Sequence, residues 1–160
     1  MNTILRGIFY LQLTAMLVAT ALPKSFAGEK PLPFHGSIQG IEVADVQFPK
    51  LFVDATASGN ATHLGRFDLT YELEVDLLTY PFETFGSSVF TAANGDTITT
   101  DIVGRGTRVD PETNSVVEIH MITGGTGRFS GATGTFVRTY SLDLITGATS
   151  GSFNGVIVLH

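Results

Sequence analysis

The stretch from Ile122 to Phe136, ITGGTGRFSGATGTF, constrains the fold most, because it places five glycines within eleven residues. It lies between two segments rich in β-branched and aromatic residues, which predict strands. A strand that enters Gly-Gly-Thr-Gly leaves the pleat, since glycine adopts positive φ without steric cost. Phe129 interrupts the small residues, and we expect its ring to close one end of a core. The stretch therefore predicts the corner of a closed β structure.

The same glycines also suggest a phosphate-binding loop, which needs a strand before it and a helix after it. The residues that follow, 135–142, read TFVRTYSL and have no helical period. The sequence contains no Gly-Lys-Ser or Gly-Lys-Thr. The required context is absent, so we do not expect a nucleotide site.

The glycine motif GGTGRFSGATG resembles the signature of the allene oxide cyclase and dirigent superfamily, and is closest to small secreted bacterial proteins with an allene-oxide-cyclase-like barrel. Segments 59–67 and 90–96 fit those bacterial relatives, and segment 155–160 echoes the last strand of dirigent proteins. The resemblance covers roughly residues 33–160 and implies an eight-stranded antiparallel, calycin-like β-barrel. The catalytic carboxylate and asparagine of the plant cyclases lie outside these motifs, so no catalytic residue is carried over.

The N-terminus has the features of a secretory signal. Residues 5–22 are mostly apolar, and Ser25-Phe26-Ala27 provides the small residues of an A-x-A-like cleavage site. The alternative is a membrane anchor, but Gln12 and Thr14 interrupt the run and the cleavage site follows. We therefore predict that residues 1–27 are removed and that residues 28–160 form one barrel domain, secreted or periplasmic.

Composition narrows the partners. Arg6 and Lys24 leave with the signal, so seven of the nine basic residues remain against 15 acidic ones. This balance argues against nucleic acid and anionic membrane surfaces as partners. The chain has no cysteine, and the scattered His35, His63 and His160 have no clustered carboxylates. We therefore predict no disulfide, no metal site and no cofactor.

Segment 67–77 alternates apolar and polar residues over eleven positions. This pattern predicts a strand with one buried and one solvated face, and Phe67, Leu69 and Tyr71 lie on the buried face. The opposite face carries four carboxylates, Asp68, Glu72, Glu74 and Asp76. Same-face residues lie about 7 Å apart along a strand, so these carboxylates do not converge as calcium ligands must.

Turn signals divide the rest of the chain into short strands. Asn94-Gly95 predicts a hairpin between strands 88–92 and 97–103. A turn at 110–114 leads into strand 116–123, and the glycine corner joins that strand to strand 135–144. A turn at 146–147 leads into strand 152–159, and an earlier pair covers 34–43 and 46–53. About eight strands without a helical period favour an antiparallel barrel or sandwich, and the resemblance favours the barrel.

Candidate site residues are those predicted to face the lumen: Phe67, Leu69, Tyr71, Phe136, Arg138 and Tyr140. Arg138 alternates with apolar residues, and two interpretations are open. Either Arg138 and Tyr140 bind the polar end of a ligand, such as a carboxylate, or Arg138 lies at the barrel mouth and reaches water, which we favour. Glu118 and His120 share the more polar face of their strand, so we expect them to face solvent rather than form a buried base.

Three functions fit these observations. The first is binding of a small apolar or amphipathic molecule in the barrel lumen or mouth, since eight strands enclose packed side chains or one such ligand. The second is an isomerase or cyclase that holds a flexible substrate in one reactive conformation, which requires shape more than catalytic motifs. The third is a filled barrel that acts through its outer surface, including as a homo-oligomer. A desolvated carboxyl or tyrosine with a perturbed pKa in the cavity would favour the second.

Overall fold

The computed structural model describes residues 30–160, and the predicted signal segment 1–27 lies outside them. Eight antiparallel strands follow one another in the sheet, and the last pairs with the first, so the sheet closes into a barrel. The predicted all-β, eight-stranded antiparallel barrel is confirmed. The strands are β1 (Leu32–Gln47), β2 (Lys50–Ala61), β3 (Gly65–Asp76), β4 (Phe82–Ala92), β5 (Thr97–Asp110), β6 (Thr113–Gly125), β7 (Thr133–Asp143) and β8 (Ala148–Val158), with a 3₁₀ helix at Gly127–Phe129. Within this range no helix is long and apolar enough to cross a membrane.

The first hairpin was predicted with the wrong bounds. The turn lies at Phe48-Pro49, not near residue 44, because residues 43–47 continue to pair in register with β2, from Val43 opposite Asp54 to Gln47 opposite Lys50. The predicted second strand, 46–53, therefore spans the turn. The alternation there is weak because residues 43–47, at the end of β1, are exposed on both faces.

The hairpin at Asn94-Gly95 is confirmed, but its turn differs from the expected one. Gly95 has a φ of 89°, whereas Asn94 is not among the described residues with positive φ. The connection has four residues and is closed by the Ala92 N–H, which donates to the carbonyl of Asp96 at 2.8 Å. Asn94 instead donates through its side chain to the Asp96 carboxylate.

The two ends of the barrel differ. At the closed end, the glycine corner between β6 and β7 places Phe129 at 0% exposure, as predicted. Gly124 and Gly127 supply the positive φ that the corner needs. Leu64, in the β2–β3 connection, and Ala132, which follows the 3₁₀ helix, are also buried at this end. The connections β1–β2, β3–β4, β5–β6 and β7–β8 surround the opposite, open end.

Aromatic rings fill the half of the barrel next to the closed end. The ring centroids of Phe34 and Phe136 lie 5.3 Å apart, and those of Phe136 and Phe153 lie 4.9 Å apart. Glycines on the inner wall make room for these rings, since a Cβ on Gly36 would lie 2.9 Å from the Phe153 ring. Edge-to-face and tilted contacts of this kind stabilise a packed core. This half is therefore filled, and ligand space lies toward the open end.

Candidate functional site

The open half of the barrel contains a cavity of about 470 Å³. Most of its wall is apolar, and includes Leu51, Val53, Leu73, Val75, Phe82 and Val116. Glu42 and Tyr140 also line the cavity, and both contact the polar groups buried beneath it. These two residues therefore form the floor of the cavity. An apolar pocket with a few convergent polar groups has the form of a small-molecule site.

Beneath the floor lies a fully buried ion pair. Arg138 Nη1 donates to Glu118 Oε2 at 3.3 Å, and His120 Nε2 lies 3.1 Å from the same oxygen. All three residues are 0% exposed. Buried charges are tolerated when they are paired and hydrogen-bonded, and here the guanidinium and the carboxylate neutralise each other.

Two tyrosines connect this ion pair to Glu42. Glu42 Oε1 accepts a hydrogen bond from the Tyr71 hydroxyl at 2.8 Å and lies 2.9 Å from the Tyr140 hydroxyl. The Tyr140 hydroxyl also lies 3.0 Å from Glu118 Oε1. Arg138 donates to the Tyr71 hydroxyl at 3.2 Å, and its guanidinium packs against both rings, 4.7 Å from the Tyr71 centroid and 4.0 Å from the Tyr140 centroid. The cluster draws its members from β1, β3, β6 and β7.

The network continues from His120 toward β4. Its ring is stacked on Phe136 with centroids 4.6 Å apart. His120 Nδ1 lies 3.0 Å from Thr100 Oγ1, which lies 2.7 Å from Ser88 Oγ. With Nε2–H donating to Glu118, Nδ1 accepts from Thr100, and the ring is held as one neutral tautomer.

The electrostatic environment shifts the pKa values of Glu42 and Glu118 in opposite directions. Burial raises the pKa of Glu42 above 4.5, although its hydrogen bonds with Tyr71 and Tyr140 oppose the shift. Burial also acts to raise the pKa of Glu118, but the hydrogen bond from His120 and the charge of Arg138 outweigh it and lower that pKa. Glu118 is therefore the ionised carboxyl, and Glu42 holds a proton more readily than an ordinary glutamate.

The other titratable groups of this buried cluster stay uncharged, apart from Arg138. Burial lowers the pKa of His120, against the opposing effect of Glu118, which favours the neutral ring. Burial raises the pKa of both Tyr71 and Tyr140 above 10.0, so their hydroxyls keep their protons. Both phenols therefore act as hydrogen-bond donors in this site.

Two predictions about this region are wrong. Arg138 does not lie at the mouth in water, because Glu118 gives it a partner inside the barrel. Glu118 and His120 do not face solvent, because the polar face of β6 is its inner face. The apolar residues of that strand, Val117 and Ile119, point outward and are exposed. Strand β6 does alternate polar and apolar residues, but its apolar face lies on the outer wall of the barrel.

The predicted lumen residues all face inward, at different depths. Tyr140 lines the cavity, and Tyr71 and Arg138 lie directly beneath the floor. The remaining three, Phe67, Leu69 and Phe136, are buried in the core and do not line the cavity. Sequence reasoning missed Glu42, although one signal was available: it occupies an inward position of β1, in phase with Phe34 and Ile38. Across residues 30–160, no group of three or more histidines and carboxylates is placed to hold a metal ion.

The architecture is a closed eight-stranded antiparallel barrel, and its fold is similar to that of a solved dirigent protein. A solved pterocarpan synthase dirigent protein superposes with a TM-score of 0.55 at 14% sequence identity, covering 90% of this chain and 98% of that one. At this identity the similarity establishes the fold. No protein-family model matches the chain, and no curated protein matches it. The relation to allene oxide cyclases and to bacterial proteins stays a prediction.

Proposed function

We propose that the barrel binds a small amphipathic molecule in the open-end cavity. The apolar part of the ligand packs against the cavity wall, and its polar group forms hydrogen bonds with Glu42 and Tyr140. The observation that carries this proposal is the position of Glu42, a carboxyl with a raised pKa on the floor of an apolar cavity. A desolvated polar group in such a place gives orientation and specificity.

The charges of the floor favour an uncharged polar group on the ligand. Arg138 is already paired with Glu118 and does not line the cavity. An anionic group at the floor would lose its hydration beside the Glu42 carboxyl, and Arg138, which is already paired with Glu118, is not free to bind it. An uncharged hydroxyl avoids this cost, and it can donate a hydrogen bond to the Glu42 carboxyl.

A second candidate is an isomerase or cyclase that uses the cavity as a template. The raised pKa of Glu42 supports it, because a carboxyl that holds its proton to a higher pH than an ordinary glutamate is better suited to general acid catalysis. Glu42 would protonate an oxygen of a ligand that the walls hold in one conformation. The similarity to a pterocarpan synthase dirigent protein is compatible with this candidate at the level of fold.

Gly106 provides the test of the cavity. It lines the cavity, and a Cβ at this position would meet only Val116 Cγ2, at 3.9 Å. Gly106→Leu is therefore expected to fill the space without disturbing the polar cluster, and Gly106→Ala is the matched control. Native mass spectrometry with a panel of long-chain alcohols, fatty acids and phenols should show one ligand per wild-type chain, retained in the alanine variant and lost in the leucine variant. Equal binding by the leucine variant, or no binding by the wild type, contradicts the proposal.

We further propose that the protein is exported, with the predicted signal 1–27 removed and the mature chain secreted or periplasmic. The features that support export are the apolar run and the Ser-Phe-Ala site. N-terminal sequencing of protein from the culture medium or periplasm should give Gly28 as the first residue. Recovery of the intact N-terminus from membranes contradicts this proposal.

The predicted homo-oligomer stays a prediction. Its best surface is the outer wall, where Phe85, Val103, Ile119 and Val137 are direct neighbours on four consecutive strands. Analytical ultracentrifugation of wild type and Ile119→Lys tests whether this row joins copies of the chain.

A further inference from the structure

The Tyr140 hydroxyl is in contact with two carboxyls but has only one proton to give. Its oxygen lies 2.9 Å from Glu42 Oε1 and 3.0 Å from Glu118 Oε1. Both are hydrogen-bond distances, and a phenol donates once and otherwise accepts. If Tyr140 donates to one carboxylate, the second contact is a hydrogen bond only when the other carboxyl is protonated and donates to Tyr140. The geometry therefore accommodates one proton shared by the two glutamates.

The surroundings indicate where that proton rests. Glu118 Oε2 accepts from Arg138 and from His120, and these donors favour the ionised form of Glu118. Glu42 has no cationic partner in direct contact among the described residues. When the two glutamates hold one proton, these donors place it on Glu42, which then donates to Tyr140, while Tyr140 donates to Glu118.

The other groups around Glu42 do not supply an alternative path. From β3, Tyr71 donates to Glu42 and accepts from Arg138, without a contact to Glu118 in the structure. From β7, Arg138 acts on Glu42 through its charge. The inward residues of the adjacent strands β2 and β8 near Glu42 are Ala55 and Thr149, which do not titrate. Tyr140 is therefore the one described side chain that joins the two carboxyls.

We propose that Tyr140 relays a proton between Glu42 and Glu118, so that the carboxyl on the cavity floor works alternately as an acid and as a base. In the transfer, the Glu42 Oε1–H proton moves to the Tyr140 oxygen while the Tyr140 proton moves to Glu118 Oε1. The two O–H bonds that break are replaced by two that form, and the net charge of the barrel is unchanged. Glu42 is then a carboxylate that accepts a proton from a ligand.

The use of this relay rests on the proposed function. A relay at the floor serves a bound ligand that gains a proton at one atom and loses one at another. An isomerisation that moves a proton from one atom of the ligand to another requires such an exchange and consumes no net proton. The buried Glu118 stores the proton during the exchange. The relay itself is a property of the free protein, so it is tested without a ligand.

The test is a pH titration of the glutamate side-chain carboxyl carbons by ¹³C nuclear magnetic resonance, on the ligand-free chain 28–160. Two carboxyls that share a proton titrate as a pair with common macroscopic midpoints. We expect the Glu118 signal of the wild type to show a step at the midpoint of Glu42. Tyr140→Phe removes the shared hydroxyl, and we expect the step at Glu118 to disappear.

Tyr71→Phe is the matched control, because it also removes a hydroxyl that contacts Glu42 Oε1 but leaves the link to Glu118. We expect the common midpoint to persist in this variant. Glu42→Gln shows that the step belongs to Glu42, since it should abolish the step at Glu118 while the barrel stays folded. Separate midpoints in the wild type, or a common midpoint that survives Tyr140→Phe, overturn the relay. Failure of ligand binding in the Gly106 experiment leaves these titrations unaffected, so the two proposals fail separately.

Discussion

Arg138 and Glu118 form an ion pair at the centre of the barrel, 3.3 Å apart, with side chains 1% and 0% exposed. Removing one member of such a pair leaves the other charge buried without a partner, which costs far more than the pair itself contributes. We therefore expect Arg138→Leu to lower the free energy of unfolding by about 3–5 kcal/mol. Urea denaturation followed by circular dichroism measures the change.

The control for this experiment is Arg105→Leu. Arg105 pairs with Glu83 at the same distance of 3.3 Å, but both side chains are exposed to water. Surface pairs contribute about 0–1 kcal/mol, so this variant should be close to wild type. Equal losses in the two variants would show that burial of the Arg138–Glu118 pair has no particular importance.

Glu42 gives the stability a characteristic dependence on pH. Its folded pKa is raised above 4.5, so the unfolded chain loses its proton first as the pH rises. The stability that Glu42 contributes is therefore complete below pH 4.5, and it is lost as the pH rises toward the folded pKa of Glu42. Glu42→Gln has no proton to lose, so its stability relative to wild type should rise across this window. Parallel stability curves would contradict the raised pKa.

The stability that Glu118 contributes depends on pH in the opposite direction. Its folded pKa is lowered below 4.5, so its contribution is present above the unfolded pKa and is lost as the pH falls through the folded pKa. The acid limb of the wild-type stability curve should therefore depend on the Arg138–Glu118 pair. We expect this limb to be shallower in Arg138→Leu, measured by thermal melts in a series of acidic buffers. An unchanged acid limb would mean that Arg138 does not hold Glu118 ionised.

The sequence predicted the strands well because its strongest signals are local, whereas the choice of a barrel over a sandwich depended on the resemblance of the glycine motif. The alternation of segment 67–77 reflects the two faces of β3, and the glycine corner reflects backbone angles that other residues avoid. The site was harder to predict. Alternation shows that the two faces of β6 differ, but it does not tell which face is inside, and the polar face was assigned to solvent.

One misassignment led to another. With Glu118 placed outside, Arg138 had no partner in the lumen, and the barrel mouth was the reasonable place for it. The structure pairs the two across the β6–β7 register, where Glu118 lies opposite Arg138. Glu42 is separated from Tyr140 by 98 positions in the chain, so their contact depends on barrel closure and leaves no local trace in the sequence.

Gly125→Val should damage folding. A Cβ on Gly125 would collide with the carbonyl oxygen of Thr97 and lie 2.8 Å from that of Phe129, and backbone atoms do not move aside easily. Overpacking typically costs 1–3 kcal/mol, and we expect a loss of at least about 3 kcal/mol here. Thermal denaturation of Gly125→Val beside Gly106→Ala, whose Cβ would make only an ordinary contact with Val116 at 3.9 Å, measures it. A variant as stable as wild type would contradict this account of the corner.

The charge of the ligand is also predicted. A long-chain alcohol should bind more tightly than the carboxylic acid of the same chain length, because a carboxylate would be desolvated beside Glu42 at the floor, where Arg138 is already paired with Glu118. We expect a difference of tenfold or more in Kd at neutral pH, which is about 1.4 kcal/mol. Isothermal titration calorimetry of the pair measures it. Tighter binding of the acid would indicate a cationic anchor and contradict the neutral-ligand assignment.

The most direct test of the central claim is a ¹H–¹⁵N chemical-shift titration of the mature chain with octan-1-ol. We predict shifts of the amides of Leu73, Gly106 and Val116, which line the cavity, and none for Ile98 and Phe153 in the filled half. These shifts should vanish in Gly106→Leu. Shifts confined to outward-facing residues such as Ile119, or none at millimolar alcohol, would contradict the claim that the open end is the binding site.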